Sequence, residues 1–132
     1  MEVFVDTSAL IGYLDAEAAT HGACRATWEG FRRSRLSLVS TNYVVAELLS
    51  VCQRRFGMSA VSEVVMDFIP LLSVVWVDEK THAEGISALL TANRRDLSLV
   101  DCVSFDVMRR LGIRRAFTLD QHFADQGFEC LP

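Results

Sequence analysis

Short apolar runs with no polar alternation are what most constrain the folding of this chain. Val3-Phe4-Val5, Leu36 to Val39, Val74-Val75-Trp76-Val77 and Ala116-Phe117-Thr118-Leu119 read as buried strands, and Phe128 to Leu131 as a short final one. Between them lie segments with apolar residues at helical spacing: Thr7 or Ser8 to Leu14, Ala16 to Arg33, Tyr43 to Phe56, Ala60 to Leu72, Lys80 to Asn93 and Asp101 to Leu111. Strands that are apolar throughout are covered on both faces. Strands alternating with helices call for a parallel sheet with right-handed crossovers. The expected fold is a three-layer α/β/α domain around a parallel sheet of four to five strands. At 132 residues the chain has the length of one domain, spanning residues 1–132.

Acidic residues stand at the edges of these apolar segments. Asp6 follows the first strand, Asp120 the fourth, and Asp101 begins a helix, while Glu47 lies one turn into another. In an open parallel sheet the carboxyl ends of the strands share one edge, where ligands bind. Carboxylates gathered there repel one another unless a proton or a cation is bound. A divalent metal and a phosphate-bearing substrate suit such a cluster. Each acid also has a simpler reading. Asp6 and Asp120 sit where helix caps sit, Glu47 is compatible with a solvated helix face, and Ser98-Leu99-Val100-Asp101 has the spacing of a capping box. Asp96 lies just before the same helix, placed to orient a water or an arginine.

The remaining chemistry is sparse. His21, His82 and His122 share no spacing, so neither a zinc site nor a nucleophile triad is expected. Cys24, Cys52, Cys102 and Cys130 form no C-x-x-C pair and read as buried free thiols. No glycine-rich phosphate loop or dinucleotide fingerprint is present. The net charge of −4 gives no general basic footprint for nucleic acid, although twelve of the thirteen basic residues are arginine, several in pairs. Those pairs fit helix C-terminal ends, where the dipole favours cations. The N-terminus has no basic leader and no apolar run reaches a membrane-spanning length, so a soluble cytoplasmic protein with no membrane association is expected.

Four segments, in order and at compatible spacing, resemble the PIN-domain ribonucleases, and more narrowly the toxin component of VapBC toxin–antitoxin systems. They are Val3-Phe4-Val5-Asp6-Thr7-Ser8-Ala9-Leu10, Thr41-Asn42-Tyr43-Val44-Val45-Ala46-Glu47, Leu97 to Phe105, and Ala116 to Phe123, with Gly127-Phe128 at the tail. Asn42 stands where a serine is frequent. The resemblance covers the whole chain and implies metal-dependent cleavage of RNA. It maps Asp6, Glu47, Asp101 and Asp120 onto the family's acidic quartet, with Thr7 or Ser8 and Thr118 as supporting hydroxyls. It also implies a homodimer and a cognate antitoxin protein.

Hard oxygen ligands suit Mg²⁺ or Mn²⁺. Hydrolysis by a metal-activated water leaves a 5′-phosphate and a 3′-hydroxyl. Asp6 and Asp101 are expected closest to the metal, with Glu47 and Asp120 acting through water or a second ion. Two other readings remain at this level. One is a metal-dependent phosphatase or phosphoryl-transfer domain, disfavoured because Lys80 is the only lysine and no Asp-x-Asp pair follows the first strand. The other is a non-catalytic PIN-like module that binds RNA, disfavoured by the complete acidic quartet.

Overall fold

The computed structural model describes residues 1–132. Five strands, β1 (Glu2–Val5), β2 (Ser37–Thr41), β3 (Leu72–Val75), β4 (Arg115–Phe117) and β5 (Glu129–Leu131), pair in parallel in the order β3-β2-β1-β4-β5. Seven α-helices connect them: α1 (Thr7–Leu14), α2 (His21–Ser34), α3 (Asn42–Phe56), α4 (Met58–Glu63), α5 (Glu79–Ala92), α6 (Leu99–Leu111) and α7 (Gln121–Asp125). This is the three-layer arrangement that the alternating pattern requires.

Successive strand residues face opposite ways, and the sheet uses this to feed two cores. Val3, Val5, Leu38 and Phe117 pack on one face with Leu10, Trp28, Phe31, Leu48 and Phe68. Phe4, Val39 and Ala116 pack on the other with Val103, Phe105, Met108 and Phe123. Both faces of β1 are sealed, since Val3, Phe4 and Val5 are all fully buried.

Helix boundaries follow local chemistry. Thr41 caps α3 by accepting the Val44 N–H at 3.2 Å, and Asp78 caps α5 by accepting the Thr81 N–H at 2.8 Å. Gly112 ends α6 at φ 69°, a left-handed conformation that glycine adopts without steric cost. The arginine pairs Arg32-Arg33, Arg54-Arg55 and Arg109-Arg110 occupy last helical turns, where the dipole favours them.

Three segments differ most from the sequence expectation. The helix expected from Ala16 begins at His21, because the Asp15 carboxylate accepts the Glu17 N–H at 3.1 Å and holds a turn there. The helix expected over 60–72 ends as α4 at Glu63 and continues as a π-helical turn, Val64–Phe68, and a 3₁₀ turn, Ile69–Leu71. Pro70, with no N–H to donate, falls in that last turn. The third strand runs over 72–75 instead of 74–77. Beyond it, the Val77 N–H is taken by Asn42 Oδ1 at 2.7 Å, which pulls Trp76 and Val77 away from the ladder and leaves Trp76 exposed.

Candidate functional site

The chain winds from β1 through β2 to β3 on one side, then crosses to β4 beside β1 on the other. The direction reverses between β1 and β4, and crevices form at such a switch point, outside the carboxyl ends of the strands. Asp6 leaves β1 there, its N–H bonded to the Phe117 carbonyl of β4 at 3.0 Å. Thr118 and Asp120 leave β4 at the same edge.

Asp6 occupies the cap position of α1 but does not cap it with its side chain. Its Oδ2 instead accepts the Ser8 hydroxyl at 2.8 Å and the Thr118 hydroxyl at 2.9 Å. Each hydroxyl is itself oriented by a backbone donor, Leu119 N–H to Ser8 at 2.8 Å and Asp120 N–H to Thr118 at 3.0 Å. With both hydroxyl protons directed at Oδ2, Oδ1 takes neither. Of the two hydroxyls expected beside Asp6, Ser8 is the one that holds it. The Thr7 hydroxyl is buried without a partner.

Burial drives the Asp6 carboxyl up to about 6, partly offset by the Ser8 and Thr118 hydrogen bonds and raised further by the charge of Asp101. Asp101 sits in the capping box of α6. Ser98 Oγ accepts its N–H at 3.0 Å, and its Oδ2 accepts the Ser98 N–H at 3.1 Å. Its carboxyl is also pushed up, first by burial and then by Asp120. Asp120 caps α7 by accepting the His122 N–H at 2.9 Å. The capping readings of Asp101 and Asp120 are therefore correct, and in both cases the cap consumes only one carboxylate oxygen. Glu47 is half-buried on α3, nearly two turns past Thr41, and its side chain makes no hydrogen bond or ion pair. Asp96 is clamped by Arg94, whose Nε and Nη2 reach its two oxygens at 3.2 and 2.9 Å.

His122 is the residue that sequence reasoning missed. Donor atoms of Asp101, Asp120 and His122 all lie within 4.8 Å of one another. His122 Nε2 is 3.1 Å from Asp96 Oδ2, and this bond, aided by the charges of Asp120 and Asp96, pushes the imidazole up. The only available signal was its offset of two from Asp120, which no metal-spacing rule captures.

Desolvated carboxylates with raised pKa values and free oxygens, together with the unpartnered His122 Nδ1 beside Asp120, form a donor set that fits a divalent cation. The molecule is thus a doubly wound α/β protein with a cluster of acidic side chains at its switch point. The family model described as PIN domain matches residues 3–129, and the chain belongs to the PIN domain family. It is 31% identical over 128 residues to the 23S rRNA-specific endonuclease VapC20 of Mycobacterium tuberculosis, covering 96% of this chain and 95% of that protein. The crystal structure of that VapC20, described as a sarcin-ricin loop cleaving toxin, superposes with a TM-score of 0.83 at 30% identity, covering 98% of this chain and 99% of that one. FitAcB from Neisseria gonorrhoeae, at a TM-score of 0.70 and 14% identity over 100% of this chain and 97% of that one, shares the fold. No helix is long and apolar enough to cross a membrane.

Proposed function

We propose that this chain is a metal-dependent endoribonuclease and the toxin of a type II toxin–antitoxin pair, acting in the cytoplasm as one domain over residues 1–132. The observation that carries the reading is the Asp6 carboxylate. It is buried at the switch point, held through Oδ2 by hydroxyls from the first turn of α1 and from the residue after β4, and repelled by the charge of Asp101. A solvated surface acid needs none of this support. Burying a carboxylate near another is costly unless a cation neutralises them.

Asp6 and Asp101 are the residues that would hold Mg²⁺ or Mn²⁺ directly, with Asp120 and Glu47 reaching it through water or a second ion. When bound, the cation supplies Lewis acidity, lowering the pKa of water and screening the scissile phosphate. Ser8 and Thr118 keep the Asp6 carboxylate in one orientation. The capping box does the same for Asp101, so neither ligand has to be ordered when substrate arrives. Arg94, at the mouth of the site on its Asp96 anchor, is placed to meet a phosphate of the RNA backbone.

RNA is the substrate class, and large-subunit ribosomal RNA is the first to try, given the 23S rRNA specificity of the M. tuberculosis relative. The expected partners are a cognate antitoxin and a second copy of the chain. The test is cleavage of ribosomal RNA and a fluorogenic RNA panel with Mg²⁺, Mn²⁺ or EDTA, beside Asp6→Asn. Metal-dependent cleavage giving 5′-phosphate ends, absent in the variant, is expected. Equal rates for a folded Asp6→Asn protein, or 2′,3′-cyclic phosphate ends, would overturn the reading.

A further inference from the structure

His122 stands apart from the carboxylates, and its surroundings specify its chemistry. The ring is held at Nε2, 3.1 Å from Asp96 Oδ2, and Asp96 is in turn clamped by Arg94. The Arg94 Nη2 atom lies farther from Nε2, at 3.5 Å. The shorter, charge-assisted contact decides the ring: Nε2 carries the proton and donates it to Asp96. In the neutral imidazole this leaves the lone pair on Nδ1.

Nδ1 is buried without a hydrogen-bond partner. It lies 2.9 Å from Asp120 Oδ1 but out of hydrogen-bond alignment, and that oxygen already accepts the His122 N–H at 2.9 Å. A lone pair facing a carboxylate oxygen is repulsive unless a positive centre, a proton on Nδ1 or a bound cation, lies between or beside them. A carboxylate oxygen of Asp101 also lies within 4.8 Å of a donor atom of Asp120 and of a ring nitrogen of His122. Metal-bound histidines characteristically donate their other ring N–H to a carboxylate, which fixes the tautomer and raises ligand basicity. The Arg94–Asp96–His122 chain has that form.

We propose that His122 Nδ1 is a nitrogen ligand of a divalent cation shared with Asp101 and Asp120, with Asp96 as the positioning residue behind it. This rests on the cation site proposed above and adds a prediction about which cation it prefers. Imidazole nitrogen suits first-row transition metals, whereas Mg²⁺ favours oxygen alone, so the site selects Mn²⁺ over Mg²⁺. Neither other histidine competes. His21 Nδ1 is 3.2 Å from the Gly12 carbonyl, and His82 is engaged by the Tyr43 hydroxyl.

The test is Mn²⁺ titration of the purified protein followed by pulsed electron paramagnetic resonance. Wild type is expected to show the ¹⁴N coupling of a directly bound imidazole. His122→Gln should still bind Mn²⁺ through its carboxylates, without the coupling and about tenfold more weakly, while Mg²⁺ affinity changes much less. Asp96→Ala should weaken Mn²⁺ binding by roughly the same factor, and the double variant His21→Gln/His82→Gln should keep the signal. Bound Mn²⁺ with no ¹⁴N coupling in wild type overturns the proposal and leaves the carboxylate site standing. No Mn²⁺ binding at all overturns both. The overturning spectrum is that of wild type, so that outcome does not depend on any variant folding.

Discussion

At the scale of single residues, Asp6 combines the greatest chemical demand with the greatest energetic cost. Its carboxyl titrates near 6 in the folded protein, against 3.8 ordinarily. The folded value lies above the unfolded one, so the contribution of this group to stability is full below about 4 and is lost as pH rises through about 6. In EDTA, the stability difference between Asp6→Asn and wild type should therefore be small at pH 4. It should grow in favour of the variant to about 1–3 kcal/mol at pH 7, as denaturant titration across pH would show. The same variant should have no nuclease activity, so stability and function move in opposite directions. Thr118→Val tests the support. It removes a hydrogen bond that favours the charged form, so the Asp6 carboxyl resonance should titrate above 6 by NMR. A value unchanged from wild type would show that the Thr118 bond does not matter.

At the scale of elements, two helix features position the site. The Ser98 cap fixes the first turn of α6 and with it the direction of Asp101. Ser98→Ala should lower stability by about 1 kcal/mol in chemical denaturation. It should also weaken cation binding, since Asp101 then keeps only the Ser98 N–H. Helices α5 and α6 pack closely at Gly85, where an added Cβ would lie 2.6 Å from Val103 Cγ2 and 3.3 Å from Leu99 Cδ1. Leu99 and Val103 flank Asp101 on α6. Gly85→Val should cost about 1–3 kcal/mol through overpacking and displace the helix that carries Asp101; an unchanged melting temperature would refute the close packing. The caps at Ser98 and Asp120 were legible from sequence, because each depends on residues within three positions of one another. The break of the 60–72 helix and the early end of β3 were not. The former turns on how Pro70 is accommodated, and the latter on a bond from Asn42, thirty-five residues away.

At the scale of the molecule, the sheet order turns scattered acids into a site, and filling that site should stabilise the whole fold. Mn²⁺ at a hundred times its dissociation constant should add about 2.7 kcal/mol, a rise of roughly 10 °C in melting temperature for a domain of this size. Asp101→Asn should abolish most of that rise; an equal shift in the variant would place the ion elsewhere. The sequence by itself determined the alternation of strands and helices, the parallel sheet, the buried strand faces and the acids that end strands or begin helices. These follow from side-chain periodicity and local hydrogen bonding, both of which are short-range. Only the tertiary structure decided that β1 lies beside β4, so that Ser8 and Thr118, 110 residues apart, meet at one Asp6 oxygen. Only it decided that the His122 ring turns toward Asp96 with its other nitrogen beside Asp120. Those placements depend on which strands pair and how two cores pack against one sheet, a balance summed over the whole chain that no local pattern contains.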